Sequence, residues 1–123
     1  MGKVVMYASV SVDGFIADEN DQPGPIFDWL TSGDVPLDDS GVLKVSRASY
    51  DHTRPYWDSI GATVVGQVFA AGHVDEVRMD VAPVVLGSGK RFFGSVSGQR
   101  QLEDPDVVIA GERVLHLRFP VRR

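Results

Sequence analysis

An aspartate in a glycine turn is the first candidate for chemistry in this sequence. Asp13 follows a run rich in β-branched residues, Lys3 to Val12, and precedes Gly14, where the backbone can approach a ligand closely. A carboxylate at the end of a strand can orient a substrate or transfer a proton. An Asp-Gly pair is also typical of a plain turn. On the residues alone the plain turn is favoured, and the catalytic interpretation stays open.

Two glycine-containing segments are candidates for anion binding. Gly87 to Gly89 precede Lys90 and Arg91, so backbone N–H groups and two cations occur together. The segment lacks the Lys-Ser/Thr ending of a P-loop, and a solvated hairpin turn is the favoured interpretation. Gly66-Gln67 open a short helical pattern, Gln67 to Ala71, whose N-terminus would attract phosphate. One glycine and a short helix make a weak version of such a site.

The three histidines show no metal-binding pattern. His52, His73 and His116 lie on different predicted elements without the spacing of zinc ligands, so we predict no metal site. The absence of cysteine excludes disulfides, thiol catalysis and thiolate metal sites. The net charge of -5 argues against general nucleic-acid binding, which needs a basic surface.

Aromatic and acidic residues elsewhere have ordinary structural interpretations. Trp29 and Trp57 are typical of a core or a cleft wall. Glu76, beside Asp75, lies at the start of a predicted strand, where a solvated cap is favoured over a substrate contact.

The length of 123 residues predicts a single domain spanning residues 1–123. No run reaches the roughly 18 consecutive apolar residues that cross a bilayer. The apolar start is short and is not followed by a signal-peptide cleavage site. We therefore expect a soluble, cytoplasmic protein.

The elements that would position these residues begin with a strand over Lys3 to Val12. Pro25 to Leu30 then predict one or two helical turns. Ser46 is a good N-cap for a helix that ends near Ile60. Pro55 weakens the middle of that helix and favours a kink or a late start.

The stretch from Val74 to Phe93 is the predicted centre of the sheet. Arg78 and Asp80 alternate with apolar residues, which is typical of a strand with one solvent-exposed face. Pro83 removes a ladder hydrogen bond, so the strand must bend there or lie at an edge. Gly87 to Gly89 then turn the chain back toward a core.

Three β-like pieces complete the chain, with a hairpin turn predicted at Gly111-Glu112. The order of elements predicts an α/β or α+β domain with a mixed sheet, flanking helices and a C-terminal antiparallel hairpin. One connection is too short: barely two helical turns separate a predicted strand, Ala62 to Val65, from Val74. A parallel crossover takes about a dozen or more residues. Either these strands are antiparallel or not neighbours, or a segment near 66–67 is absent.

Several motifs give the chain a resemblance to a known family. They are residues 9–17 (SVSVDGFIA), 27–30 (FDWL), 59–66 (SIGATVVG), 70–77 (AAGHVDEV), 82–89 (APVVLGSG), 91–93 (RFF) and 114–119 (VLHLRF). In this order they span nearly the whole chain. They resemble the reductase domain at the C-terminal end of the bifunctional deaminase–reductase of riboflavin biosynthesis, the RibD C-terminal domain. That family has a dihydrofolate-reductase-like fold.

The chain departs from this family in its middle. In the family, the strand equivalent to Ala62–Val65 leads into Gly-Arg, a helix, a further strand–helix–strand portion and a glycine-rich phosphate loop. That portion is missing here near 66–67. By resemblance, it carries most of the groups that hold the phosphates and adenosine of the cofactor. The chain is therefore a shortened paralogue, an internally deleted product, or a sequence from which one segment has been left out.

The resemblance implies an NADPH-dependent oxidoreductase that transfers a hydride to a small heterocyclic substrate, pyrimidine- or pterin-like. Asp13 would be the catalytic residue. The residues implied in cofactor binding are Gly14, Ala17, Gly66, Gln67 and Val68. Those implied in substrate binding are Ser11, Phe15, Trp29 and Glu76.

Two other functions stay open at this point. The first is a catalytically inactive fold remnant that acts as a binding or structural protein. The second is an unrelated small-ligand binder, for which the turn from Gly87 to Arg91 is the only indication. The apolar strands favour a homodimer, and exchanged elements between protomers would compensate for the missing portion. No nucleic-acid or membrane partner is expected.

Overall fold

Strands dominate the part of the chain that the computed structural model describes, which comprises residues 4–59, 74–94 and 99–122. The strands are β1 (Val5–Ser11), β2 (Phe15–Ala17), β3 (Val35–Pro36), β4 (Lys44–Val45), β5 (Glu76–Ala82), β6 (Lys90–Arg91), β7 (Val107–Gly111) and β8 (Val114–Pro120). The helices are a 3₁₀ helix (Gly24–Thr31) and α1 (Arg47–Ser59). The 3₁₀ helix contains the helical turns predicted from Pro25 to Leu30.

The four longest strands form one mixed sheet. β1 runs parallel to β5, β5 pairs antiparallel with β8, and β8 pairs antiparallel with β7. The prediction that the stretch from Val74 to Phe93 supplies the centre of the sheet is confirmed for β5, which has a partner on each side, whereas β6 pairs with β2 in a separate two-stranded sheet. β7 and β8 form the predicted C-terminal hairpin. Its turn is Glu112-Arg113, one residue later than predicted, and Arg113 has a positive φ of 63°.

One face of this sheet is apolar. Met6 and Val10 of β1 and Val77 of β5 pack with Val74 and Phe92, and each of these side chains is at most 6% exposed. Phe92, which follows the turn at Gly87–Gly89, thus anchors that turn on this core.

The opposite face of the same strands is polar and is nevertheless buried. Ser9 of β1 lies beside Asp80, and Asp80 lies opposite His116 of β8. Arg78 is 9% exposed, Asp80 3% and His116 0%. The prediction that Arg78 and Asp80 form a solvent-exposed face is therefore wrong, because α1 and the 3₁₀ helix lie over them.

The composition of α1 explains why it covers a polar surface. Its sequence, RASYDHTRPYWDS, contains no Val, Leu, Ile or Met, so its buried side offers hydroxyl, imidazole and aromatic groups. Ser49 and Thr53 are buried against the sheet, and Tyr56 is only 9% exposed. A helix of this kind can be buried only where the opposing strands supply polar partners.

Ser46 caps α1 as predicted. Its hydroxyl accepts a hydrogen bond from the Ser49 backbone N–H at 3.2 Å, and its carbonyl accepts one from the Tyr50 N–H at 2.9 Å. The helix begins at Arg47 and continues through Pro55, so the predicted late start is wrong. The proline deprives the helix of one backbone hydrogen bond.

Several predicted features lie outside the described residues. They are the strand Ala62–Val65, the helix Gln67–Ala71, the suspected gap near 66–67, and His73. Within the described ranges, no helix is long and apolar enough to cross a membrane.

Candidate functional site

The Asp13 turn lies where β1 and β5, the two parallel strands, both end. The Ser11 hydroxyl donates to Asp13 Oδ1 at 2.5 Å and accepts a hydrogen bond from the Phe15 N–H at 2.9 Å. The Leu86 N–H donates to Asp13 Oδ1 at 3.2 Å, and the Gly87 N–H donates to Oδ2 at 2.8 Å. Asp13 therefore ties the turn after β1 to the loop after β5.

These hydrogen bonds fix the charge of Asp13. The Ser11 hydroxyl, with the backbone N–H groups of Gly87 and Leu86, holds the pKa of Asp13 below its ordinary value. An ionised carboxylate in this position is suited to orienting a substrate or stabilising a positive charge. It is poorly suited to donating a proton near neutral pH. The catalytic role of Asp13 stays a prediction.

The other residues predicted around this turn differ in accessibility. Gly14 has a φ of 94°, and a side chain added there would meet nothing within 4 Å, so its backbone faces open space. Phe15 is 5% exposed and lies beneath the Arg91 guanidinium, 4.7 Å from the ring centroid. The Ala17 carbonyl packs against Gly89, where an added Cβ would lie 2.2 Å from that oxygen. Gly14 is thus the most open of the three.

The turn from Gly87 to Arg91 has little free charge. Lys90 and Arg91 form β6 and pair with β2. Arg91 stacks on Phe15, and Lys90 Nζ lies 4.0 Å from Asp21 Oδ1. Of the turn's two cations, each already has a local partner, which supports the solvated hairpin over a phosphate site.

A cavity of about 300 Å³ opens beside β1, and we call it the aromatic cavity. Its principal lining residues are Tyr7, Ser9, Phe27, Trp29, Leu30 and Trp57. Trp29 is 1% exposed, and its indole N–H donates to the Ser9 hydroxyl at 3.2 Å. The prediction that Trp29 and Trp57 form a core or a cleft wall is confirmed, since both do so here.

Next to the aromatic cavity, the half-buried Tyr7 and three buried side chains form a continuous hydrogen-bonded row. The Tyr7 hydroxyl donates to Asp80 Oδ2, and His116 Nδ1 lies 2.7 Å from Asp80 Oδ1. His116 Nε2 lies 2.8 Å from the Ser49 hydroxyl. The row is satisfied when Nδ1–H donates to Asp80 and Nε2 accepts from Ser49. Burial and the neighbouring Asp80 carboxylate raise the pKa of Tyr7, so Tyr7 remains a donor.

Ser49, His116 and Asp80 have the hydrogen-bonding order of a serine hydrolase triad. Ser49 is 1% exposed and faces Gly111, where an added Cβ would lie 2.1 Å from the hydroxyl oxygen. A substrate carbonyl has no route to this hydroxyl. We therefore interpret the row as a structural network that fixes α1 on the sheet.

The structure brings together two histidines that the sequence kept apart. The rings of His52 and His116 lie 4.8 Å apart, and potential ligand atoms of His52, Asp80 and His116 lie within 4.8 Å of one another. The two histidines lie on different elements, as predicted, and meet because α1 packs on the sheet beside His116; the absence of a metal site stays a prediction. His52 Nε2 also lies 3.3 Å from Arg78 Nη2, and this guanidinium opposes the binding of a cation.

Glu76 is not the solvated cap that the sequence favoured. It is 7% exposed, and its Oε2 lies 3.5 Å from Arg118 Nε. Like Arg78, Glu76 belongs to the face of β5 that the helices cover. The remaining predicted cofactor residues, Gly66, Gln67 and Val68, lie outside the described residues.

Sequence reasoning missed the Tyr7–Asp80–His116–Ser49 row. Residues that are hydrogen-bonded to each other in this row lie 36, 67 and 73 positions apart along the chain, and no local motif connects them. One signal was available: α1 has no large aliphatic side chain, so the strands beneath it had to carry polar partners.

Comparisons with known proteins agree with this architecture. The family model of the RibD C-terminal domain matches residues 53–116, just over half of the chain. A crystal structure from Shewanella sp. PV-4, provisionally assigned to riboflavin biosynthesis, is 15% identical with a TM-score of 0.62. That alignment covers 99% of this chain and all of the other.

A second solved structure is a diaminohydroxyphosphoribosylaminopyrimidine deaminase/5-amino-6-(5-phosphoribosylamino)uracil reductase from Thermotoga maritima. It is 12% identical with a TM-score of 0.47, over 98% of this chain and 56% of that one. No curated protein matches the chain.

The family match and the fold both agree with the resemblance that the sequence motifs indicated. The mixed sheet with its C-terminal hairpin is the dihydrofolate-reductase-like fold expected from the resemblance. The chain belongs to the RibD C-terminal domain family, which is associated with reductase activity in riboflavin biosynthesis.

Proposed function

We propose that this protein is an NADPH-dependent reductase that transfers a hydride to a small planar heterocycle, pyrimidine- or pterin-like. One observation carries the proposal: the aromatic cavity and the Asp13 turn share one face of β1. Tyr7 and Ser9 line the cavity, and Ser11, two residues on, holds Asp13 through its hydroxyl. A flat ligand in the cavity would therefore extend toward a fixed negative charge.

The composition of the cavity favours a planar ring as substrate. Trp57 and the 45% exposed Phe27 offer aromatic surface on its walls, and the buried Trp29 supports them from behind. Aromatic walls with a few polar groups are typical of sites for small heterocycles. The volume of about 300 Å³ suits a one- or two-ring compound and excludes a whole dinucleotide.

The described residues fit the nicotinamide end of the cofactor. Gly14 has open space above its backbone at the carboxyl ends of β1 and β5, where ligands bind in open α/β sheets. The residues predicted for the phosphate end, Gly66 to Val68, lie outside the described ranges. When bound, the cofactor would supply the hydride.

The part of the protein in this reaction is to bind, orient and shield. The aromatic walls would exclude water from one side of the substrate. Asp13, held by Ser11, Leu86 and Gly87, would hold a fixed charge near the ring that accepts the hydride. The backbone at Gly14 would allow the nicotinamide to approach without steric conflict.

A fold remnant without catalysis is the second candidate, and the Asp13 contacts favour it. Both carboxylate oxygens accept hydrogen bonds from the protein itself, so Asp13 has a structural use without any ligand. In that case the turn would keep its shape and the cavity would bind no reducible substrate.

Titration with NADPH separates the two candidates. A reductase should be stabilised by about 2.7 kcal/mol at a hundredfold excess of NADPH over Kd, and nicotinamide fluorescence should change in parallel. No change in melting temperature or fluorescence at millimolar NADPH would contradict the reductase.

Asp13→Asn tests the predicted residue if any activity is found. We expect kcat/KM to fall about tenfold or more, as consumption of NADPH with pterin and aminopyrimidine probes would measure. Asp38→Asn is a matched control, because Asp38 is also hydrogen-bonded by a serine two positions away, Ser40, at 2.6 Å. An equal loss in both variants, or no loss in Asp13→Asn, would remove Asp13 from catalysis.

The homodimer expected from the apolar strands stays a prediction. Sedimentation equilibrium measures it directly, and intact mass spectrometry distinguishes a 13.4 kDa chain from one that contains a further segment.

A further inference from the structure

A second cavity, of about 570 Å³, lies between α1 and the β7–β8 side of the sheet, and we call it the cationic cavity. Its floor is the polar face of the sheet, and its cationic lining residues are Arg78 and Arg118. His52 and Tyr56 of α1 form one wall, and Ile109 of β7 belongs to the other. The Tyr7 and Tyr56 rings, 5.2 Å apart, separate it from the aromatic cavity.

Arg78 is the unusual member of this cavity. It is 9% exposed, and its Nε atom has no hydrogen-bond partner among the described residues. Its guanidinium lies 3.8 Å from the centroid of the Tyr56 ring, and Nη2 lies 3.3 Å from His52 Nε2. A guanidinium is always charged in proteins, so burying it with an unsatisfied Nε atom is costly.

No described carboxylate forms an ion pair with Arg78. Arg118, by contrast, is well paired: its Nε lies 2.8 Å from Asp106 Oδ1 and 3.5 Å from Glu76 Oε2. The nearby Asp80 uses both of its oxygens for Tyr7 and His116. Arg78 is therefore the lining cation without an ion pair among the described residues, although the carboxylates of Asp80, Glu76 and Asp51 lie in its surroundings.

We propose that the cationic cavity binds a small organic oxyanion, a carboxylate or a phosphate carried on a compact apolar or aromatic body. Arg78 would provide the charge and hydrogen bonds from its guanidinium, since its planar donors match such groups. Tyr56 and Ile109 would contact the apolar body. This site is independent of the proposed reductase activity and of the Asp13 turn.

His52 provides an internal reporter of occupancy. Burial and the neighbouring His116 and Arg78 lower the pKa of His52 to about 4, so its Nε2 accepts a hydrogen bond from Arg78 at neutral pH. An anion that pairs with Arg78 offsets the positive charge of its guanidinium. The pKa of His52 should then rise, and NMR titration of its ring protons measures the change.

The test uses the full chain with inorganic phosphate and with benzoate as probes, at constant ionic strength maintained with chloride. Calorimetry should detect binding of benzoate or phosphate, and the stronger of the two identifies the source of the oxyanion. Arg78→Gln should weaken binding about ten- to a hundredfold. Absence of binding by the wild-type protein at tens of millimolar of either probe would overturn the proposal.

Arg91→Gln is the matched control, because Arg91 also stacks on an aromatic ring, that of Phe15 at 4.7 Å. It should bind the probes as the wild type does. If Arg91→Gln loses binding and Arg78→Gln does not, the anion site is the turn from Gly87 to Arg91 and the proposal is wrong.

A second variant guards against misfolding of Arg78→Gln. Val107→Phe narrows the cationic cavity from its half-buried rim without altering Arg78. It should reduce probe affinity and abolish the probe-induced rise in the pKa of His52, with an unchanged circular dichroism spectrum. Full affinity in Val107→Phe would also overturn the proposal.

Discussion

The two faces of the four-stranded sheet are both buried, but they are held together in different ways. On one face Met6, Val10 and Val77 pack without directional contacts. On the other, Asp80 and His116 are joined within the sheet by a hydrogen bond of 2.7 Å, and His116 meets Ser49 of α1 through one of 2.8 Å. Apolar packing is non-directional and tolerates changes of shape, whereas a buried polar group is costly as soon as one partner is missing.

Alternation along a strand therefore separates polar from apolar side chains, but it does not indicate which face of the sheet meets water. β5 alternates polar with apolar residues, and both sets are largely covered. The composition of the covering element determines which face it can pack on. Because α1 lacks large aliphatic residues, it is stable only over polar strands.

Loss of Asp80 should have the largest effect on stability. Asp80→Ala leaves the Tyr7 hydroxyl and His116 Nδ1 buried without their partner, so the free energy of unfolding should fall by about 3–5 kcal/mol. Urea denaturation measures the change. Asp80→Asn is the matched control, because it keeps two hydrogen-bonding atoms and should lose less. Equal losses in the two variants would show that side-chain volume, not the network, holds this face.

Val77→Ala makes the equivalent change on the apolar face of the same strand. Val77 is 0% exposed, and removal of two methyl groups should cost about 2 kcal/mol in the free energy of unfolding. The same urea titration gives the comparison with Asp80→Ala. A loss from Val77→Ala as large as that from Asp80→Ala would erase the distinction between the two faces.

Local signals in the sequence were enough to predict much of this fold. Nearby residues were enough to predict β1, β5, the β7–β8 hairpin and the Ser46 cap. The motifs were enough to indicate the family. The polar face needed more, since His116 contacts a residue 67 positions away in α1. Period-2 alternation could not reveal that Arg78 is covered, because burial depends on which helix lies above it.

The candidate site was predicted unevenly for the same reason. Asp13 and Gly14 were found because a turn after a strand is a local feature. Ser11 is a local contact of Asp13, but the other two contacts that hold it come from Leu86 and Gly87, more than 70 residues later. The sequence showed Arg78 only as one polar residue in the alternating pattern of β5. Its lack of an ion-paired carboxylate depends on the three-dimensional arrangement and could not be predicted from that pattern.

The polar face should also give the protein a pH dependence that the apolar face cannot. Burial and the nearby His116 and Arg78 lower the pKa of His52 from 6.5 to about 4. Between these values the unfolded chain binds more protons than the folded one, so the free energy of unfolding should rise with pH from about 4 to 6.5. Urea midpoints across this range measure the slope. His52→Gln should flatten it, and an unchanged slope would assign it to other groups.

Asp51→Asn should have the smallest effect on stability and separates stability from binding. Asp51 is 63% exposed in its side chain and pairs with Arg47 at 3.5 Å, so its loss should change the free energy of unfolding by less than about 0.5 kcal/mol. Asp51 also lines the cationic cavity, where its charge opposes an entering oxyanion. The variant should therefore bind benzoate and phosphate more tightly, by calorimetry, while its urea midpoint stays constant. Weaker binding would mean that Asp51 contacts the ligand directly, and the electrostatic repulsion assigned to Asp51 would then be incorrect.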